Sequence, residues 1–179
     1  MKGKILIFVL SVFLFASCKD DKTSTPESKE AVKKIKVTLS ATVKTDDDFQ
    51  LFFKEEDNAS KPFEEVNSVW TSVKANENSQ NIEFVLPEDV FPNYLRLDIG
   101  KNDKQQPVII SSLKIEYGDK KFEMNSTAFI ENYFVHNNSI EIKDKGKGEV
   151  IPKKDENGTY DPVFNSGENL KPELLKLYK

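Results

Sequence analysis

A long alternation of apolar and polar residues is the feature that most restricts the fold of this chain. From Ile35 to Val43 every second residue is apolar, and Lys, Thr or Ser stands between each pair. Successive side chains of a β-strand point to opposite faces, so this pattern predicts a strand with one face in a core and the other in water. Such one-sided burial is typical of antiparallel sheets.

The same alternation recurs along the chain between turn residues such as Asp46-Asp47-Asp48, Gly100 and Gly118-Asp119. About eight strands and almost no helical periodicity predict an all-β fold, namely an antiparallel β-sandwich of the jelly-roll type. The regular strand segments are 35–43, 49–53, 82–86, 95–99, 109–117, 121–124, 129–136 and 140–142, with a shorter, less regular one at 69–73.

The C-terminal region differs in composition from the strands. Residues 143–169 are rich in Lys, Gly, Asp, Asn and Pro and lose the alternation, so we expect a long surface loop there. Pro172 is suited to the first position of a short final helix, with Leu174, Leu177 and Tyr178 on one face. So short a helix is expected to persist only by docking on the sandwich.

The N-terminus has the pattern of a secretory signal. Lys2 and Lys4 precede an apolar stretch, 5–15, that would span only about 16 Å as a helix, too short to cross a bilayer. Phe15-Ala16-Ser17-Cys18 then resembles a lipobox, the processing sequence of bacterial lipoproteins, although leucine is commoner than Phe15 at its position. The resemblance implies cleavage before Cys18 and lipidation of that cysteine with diacylglycerol and an acyl chain such as palmitate, which would anchor the protein stably. An ordinary cleaved signal peptide is the alternative.

The residues after Cys18 indicate the membrane surface to which the lipoprotein is exported. Lys19-Asp20-Asp21 is similar to an export signal that sends lipoproteins to the outer face of the outer membrane in some Gram-negative bacteria. This resemblance implies surface exposure; retention on the periplasmic leaflet is the alternative. The sequence thus divides into a signal peptide (1–17), a lipidated flexible tether (18–30), a sandwich domain (31–142) and a C-terminal extension packed on the sandwich (143–179).

Composition excludes several classes of function. The chain has a formal net charge of −4 and lacks a cluster of basic residues, so nucleic acid is not an expected partner. Cys18 is the only cysteine and His136 the only histidine, which excludes zinc sites built from several such ligands. We expect a non-catalytic protein with no cofactor and no metal. The acidic turns at Asp46-Asp47-Asp48 and Asp155-Glu156-Asn157-Gly158 lack the spacing of a calcium loop.

Binding of a glycan is the favoured function. Trp70 and Tyr94 are flat, amphipathic side chains of the kind that stack on sugar rings, and Tyr94, Arg96 and Asp98 share one face of a predicted strand. A second interpretation places Trp70 in the core and pairs Arg96 with Asp98 as a surface ion pair.

A resemblance to a known type of module supports the sandwich. Over residues 49–115 the chain is similar to a β-sandwich module attached to bacterial cell-surface proteins and some polysaccharide glycosyltransferases. The matching segments include Asp48-Phe49-Gln50-Leu51-Phe52-Phe53, Leu95-Arg96-Leu97-Asp98-Ile99-Gly100 and Ile109–Ile115. Ile99 departs from the proline that is frequent there. The resemblance implies a jelly-roll fold and a carbohydrate setting, and it implies no catalytic residue.

Two alternatives to glycan binding stay open. The domain could be a structural or adhesion subunit that docks to another outer-membrane protein, which an exposed apolar patch or open edge strand would favour. The third interpretation is a carboxylate-based glycan hydrolase, since the chain has thirty acidic residues and hydrolysis of this type needs a pair of carboxyl groups.

Overall fold

Two antiparallel β-sheets are the main feature of residues 33–178, the part of the chain that the computed structural model describes. The first sheet has the strand order β4-β1-β6-β10-β9, with β7 also paired to β6, and the second has the order β3-β2-β5-β11-β8. The strands are β1 (Ile35–Thr42), β2 (Asp47–Lys54), β3 (Ser68–Val73), β4 (Gln80–Val85), β5 (Tyr94–Asp98), β6 (Val108–Tyr117), β7 (Lys120–Asn125), β8 (Phe134–His136), β9 (Ile140–Asp144), β10 (Glu149–Pro152) and β11 (Val163–Ser166). The predicted all-β sandwich is confirmed.

The core lies between the two sheets and follows the sequence alternation. Val37 and Leu39 of β1 face Phe49 and Leu51 of β2 across the sandwich, and all four are fully buried. Burial of one such side chain contributes about 1.5–3 kcal/mol to stability. Among the described residues, the buried side chains of this core run from Ile35 to Leu177.

The predicted strand over 129–136 is wrong in its first part. A short helix, α1 (Ser126–Ala128), leads into a π-helical turn (Phe129–Tyr133), and only Phe134–His136 are extended. The side chain of Asn125 accepts a hydrogen bond from the backbone N–H of Ala128 at 2.9 Å and so caps this turn. Phe129 and Phe134 lie five residues apart and stack with ring centroids separated by 4.5 Å, a contact that the helical turn makes possible.

The predicted loop over 143–169 is also wrong, because it contains two strands. β10 pairs with β6 and β9, while β11 lies between β5 and β8 inside the second sheet. Both strands have only four residues, and Val163 and Phe164 are buried on opposite faces, so no alternation marks β11. This part of the chain is integral to the sandwich.

The predicted C-terminal helix is present as α2 (Leu170–Tyr178). It begins two residues before Pro172, which therefore lies in the first turn, where a missing N–H costs no helical hydrogen bond. Leu170, Leu174 and Leu177 are buried against the sandwich, as docking requires. No helix among residues 33–178 is long and apolar enough to cross a bilayer.

Candidate functional site

The face of the second sheet that points away from the core, here called the outer face, carries all four residues predicted to bind glycan. Direct antiparallel partners share a face, and Trp70 pairs with Gln50, which pairs with Asp98. Arg96 and Tyr94 follow at alternate positions of β5, so they lie on the same face. The fold therefore brings Trp70 into the neighbourhood of the β5 residues across one intervening strand.

Trp70 lies on β3, the edge strand of this sheet, and its side chain is 49% exposed. The inward positions of β3 are Val69, Thr71 and Val73, which sets Trp70 outward. The Nζ of Lys101 lies 4.9 Å from the centroid of the indole and 2.9 Å from Oδ2 of Asp48. The ammonium of Lys101 thus lies over the indole ring, and about half of the Trp70 surface remains exposed to solvent.

Arg96 lies near the middle of the outer face and joins two carboxylates. Its Nε and Nη2 donate to the two oxygens of Asp98 at 2.7 and 2.8 Å, and Nη2 also donates to Oδ1 of Asp161 at 3.2 Å. The guanidinium carbon lies 5.0 Å from the ring centroid of Phe52, which supports it from the adjacent strand. Burial raises the pKa of Asp98 to about 6, against the opposing effect of Arg96. The side chains of Arg96 and Asp98 are 25% and 16% exposed, so both are within reach of a ligand.

A loop covers one half of the outer face. Residues 55–67, here called the strap, cross β2 near its last residue, Lys54, and β5 near its first residue, Tyr94. Phe63 of the strap packs edge-on against Phe52 with centroids 6.3 Å apart, and Glu65 accepts a hydrogen bond from Gln50 at 2.7 Å. The strap thereby buries the outward side chains of β2 that an exposed sheet face would leave in water.

Lys54 lies beneath the strap and hydrogen-bonds to its backbone. Its ammonium is almost fully buried, and it donates to the carbonyl oxygens of Ala59 and Lys61 at 3.1 and 2.6 Å. The same nitrogen lies 4.7 Å from the ring centroid of Phe63 and 5.0 Å from that of Tyr94. Burial lowers the pKa of Lys54, and these carbonyl and ring contacts compensate part of the desolvation of its charge.

Tyr94 is only 5% exposed, in contrast to Trp70. Its hydroxyl donates to the carboxylate of Glu168 at 3.2 Å, and the ammonium of Lys171 lies 5.8 Å from its ring centroid. Direct stacking of a sugar on Tyr94 would require the strap and the start of α2 to move. In the observed arrangement Tyr94 forms part of the floor under the strap.

Sequence reasoning missed the contributions of Gln50, Phe52 and Lys54. These residues occupy outward positions of β2, where polar side chains are normally taken as solvated. Phe52 was the available signal, since a phenylalanine at an outward position between Gln50 and Lys54 indicates that something covers that face.

The two acidic turns, at residues 46–48 and 155–158, contain carboxylates that accept hydrogen bonds from other groups of the protein. Asp47 accepts hydrogen bonds from the backbone N–H groups of Asp48 and Lys101 and from the side-chain amide of Gln105, at 2.8–2.9 Å. Asp155 accepts from the backbone N–H groups of Asn157 and Thr159. Among residues 33–178 no group of three or more His, Cys, Asp or Glu side chains is arranged to hold a metal ion.

His136 lies away from the outer-face cluster. It lines a surface depression of about 340 Å³ together with Lys153, Lys154, Asp155 and Glu156. Its Nδ1 lies 2.9 Å from the carbonyl oxygen of Asn137, and its ring contacts Phe164 with centroids 6.4 Å apart. These contacts orient the ring.

Cys18, Lys19, Asp20 and Asp21 lie outside the described residues, so lipidation and export stay predictions. Comparisons of the chain with protein-family models, with curated proteins and with solved structures find no match. The resemblance of residues 49–115 to a cell-surface sandwich module therefore also stays a prediction.

Proposed function

We propose that this protein is a lipid-anchored surface lipoprotein whose sandwich binds glycan without catalysis. The observation that carries the proposal is the half-exposed indole of Trp70 on the same sheet face as the partly exposed Arg96–Asp98 pair. A sugar ring offers an apolar face for stacking and hydroxyl groups that both donate and accept hydrogen bonds. Trp70 is suited to stack on the apolar face of the sugar. Arg96, Asp98 and Asp161 are suited to hydrogen-bond its hydroxyl groups.

The ion pairs of the outer face also support binding over hydrolysis. A carboxylate pair could serve hydrolysis, and Asp98 and Asp161 do contact the same guanidinium nitrogen. Both oxygens of Asp98, however, accept a hydrogen bond from Arg96, an arrangement that holds the carboxylate in place and competes with its use as a proton donor. A fixed array of donors and acceptors favours recognition of hydroxyl groups.

The test is a glycan array probed with residues 31–179, which contain all the residues that the structure describes. We expect the Trp70→Ala variant to lose about tenfold or more in affinity for the glycan that binds best. Phe91→Ala is the matched control, because Phe91 is a partly exposed aromatic residue that packs on Tyr117 and Tyr178 beside α2. Unchanged binding by a folded Trp70→Ala variant, or no binding across a broad array, would overturn the proposed function.

Docking to another outer-membrane protein is the second candidate, and one surface favours it. Val66, Trp70 and Val85 are exposed on or beside the edge strands β3 and β4. These edges lie next to each other, since the hydroxyl of Thr71 donates to the carbonyl oxygen of Glu83 at 2.7 Å. A photo-crosslinker at position 66 in intact membranes should then capture one discrete partner, whereas a crosslinker at Lys121 on β7 should not.

A further inference from the structure

The edge strand β3 lacks the features by which proteins usually protect such an edge. Its sequence is Ser-Val-Trp-Thr-Ser-Val, six residues without a charge, a proline or a glycine. Charged residues, proline, bulges and short length are the devices that keep an edge strand from pairing with another chain. An uncharged segment of high β-propensity is therefore suited to accept a further strand.

The other strands with an unpaired edge among residues 33–178 have such protection. β4 contains Glu83, and β7 and β9 each contain three charged residues. β8, at the far end of the second sheet, is only three residues long. Of these edges, β3 is therefore the one at which a partner strand would add.

The backbone of β3 has free hydrogen-bonding groups along this edge. The N–H of Phe53 donates to the carbonyl oxygen of Asn67 at 2.9 Å, which fixes the alternation of hydrogen bonds between β2 and β3. In an antiparallel ladder with this alternation, the N–H and C=O groups of Ser68, Trp70 and Ser72 point away from β2. No backbone hydrogen bond within residues 33–178 occupies these groups.

The neighbouring strand β4 approaches β3 from the core side. Thr71 is an inward residue of β3, and its hydroxyl donates to the carbonyl oxygen of Glu83 at 2.7 Å. Trp70 and Ser72, whose backbone groups point to the edge, are both exposed. An added strand would therefore meet solvent-exposed backbone on β3.

A second copy of β3 matches this edge in antiparallel orientation. With a two-fold axis at Trp70, the two Trp70 residues pair directly, and Ser68 of each copy pairs with Ser72 of the other. This arrangement forms about six backbone hydrogen bonds across the axis. Directly opposite aromatic side chains also stabilise an antiparallel pair of strands.

The charges that flank β3 are complementary in the same orientation. Glu64 and Glu65 precede the strand and Lys74 follows it, and the side chains of Glu64 and Lys74 are 53% and 82% exposed. Antiparallel pairing brings the acidic end of each strand to the basic end of the other, whereas parallel pairing would bring like charges together.

We infer that two copies of this protein pair along β3, antiparallel about Trp70, and join their five-stranded sheets into one continuous sheet. The inference goes beyond the proposed function and does not depend on glycan binding. The two indoles would lie side by side on one outer face. One pair of strands is a small interface, so the pairing is best detected by covalent trapping.

The experiment traps the pairing in intact cells that express the full chain. In the Ser68→Cys/Ser72→Cys double variant, thiols of different copies would face each other with Cα atoms about 5.5 Å apart, a distance that a disulfide can bridge. In either single variant the two thiols would lie about 14 Å apart along the strands, too far for a disulfide. After mild oxidation we expect most of the double variant, and neither single variant, at twice the monomer mass. The unchanged chain controls for Cys18.

A charge placed at the two-fold axis gives the matched comparison. Trp70→Lys in the double variant should lower the disulfide-linked fraction about tenfold, because two ammonium groups would then face each other. Val135→Lys, at an exposed apolar residue on the opposite edge strand of the same sheet, should leave this fraction unchanged. All variants are first shown to be as abundant and as protease-resistant as the unchanged chain.

Three results would overturn the inference: no disulfide-linked dimer of the double variant, equal yields from the double and single variants, or a yield that Trp70→Lys leaves unchanged. Linkage to a different protein in place of a second copy would overturn it as well and would favour the docking candidate. The glycan array decides the proposed function independently of each of these outcomes.

Discussion

The raised pKa of Asp98 predicts an unusual dependence of stability on pH. Burial raises the pKa from 3.8 to about 6 in the folded protein, so the folded state binds this proton more tightly than the unfolded state. Asp98 therefore contributes stability that is fully present below pH 3.8 and is lost as the pH rises through about 6. A shift of this size corresponds to about 3 kcal/mol.

The Asp98→Asn variant isolates this effect, since it keeps the shape of the side chain and removes its titration. We expect the free energy of unfolding of the wild type, minus that of the variant, to fall by about 2.5 kcal/mol between about pH 4 and pH 8. The assay is urea unfolding of residues 31–179 followed by circular dichroism at several pH values. Taking the difference removes the contributions of all other titrating groups that the substitution leaves unchanged.

Asp103→Asn is the control, because its difference should stay flat between about pH 4 and pH 8. The hydrogen bond and charge of Lys154 lower the pKa of Asp103, so its contribution is present at neutral pH and lost as the pH falls below 3.8. A difference for Asp98→Asn that is as flat with pH as that for Asp103→Asn, or that rises with pH, would refute the argument from burial.

Three further predictions concern the fold and the membrane anchor. Gly148→Ala should lower the free energy of unfolding by more than about 2 kcal/mol, because Gly148 has φ +69° and its Cβ would lie 1.9 Å from the carbonyl oxygen of Ile110. Gly158→Ala is the control: Gly158 has φ +82° but its Cβ would lie in open space, so only the local backbone strain should be lost, about 1–2 kcal/mol. If urea unfolding shows equal losses of stability for the two variants, the predicted clash is contradicted. Cys18→Ala should abolish palmitate labelling and release the protein from the membrane fraction; a variant that is still labelled and membrane-bound would disprove the anchor. Changing Asp20-Asp21 to alanine should remove the protein from protease-accessible display on intact cells while leaving it lipidated, and undiminished display would show that these residues are only tether.

Long, regular strands were predictable from the sequence because one alternation governs each of them. β1 and β6 are central strands of the first sheet whose inward residues are apolar and whose outward residues are mostly polar. β10 and β11 were not predictable, since four residues give at most two alternations and loop residues flank them. The π-helical turn at Phe129–Tyr133 was missed for a related reason: buried Phe129 and Ile130 are neighbours in sequence, and an apolar run of this length does not separate strand from helix.

The two interpretations of Trp70 could have been separated from the sequence by extending the alternation through β3. Val69, Thr71 and Val73 form the more apolar set, and this places Trp70 outward. The burial of Tyr94 could not be foreseen, because it depends on Glu168 and Lys171, more than seventy residues away in sequence. Pairing of Arg96 with Asp98 was one of the sequence interpretations and is present, with Asp161 as an added partner.

The strap lies at one end of the outer face, and Trp70 lies toward the other. β1 starts at Ile35, and the chain then returns through β2, which ends at Lys54 on the side of the sandwich where β1 began. The strap covers the outer face on that side, whereas Trp70 and Lys101 lie toward the opposite end, where β2 starts at Asp47. The described sandwich thus begins at the covered end of the outer face, and the exposed indole of Trp70 lies toward the other end. A ligand could therefore reach Trp70 without displacing the strap.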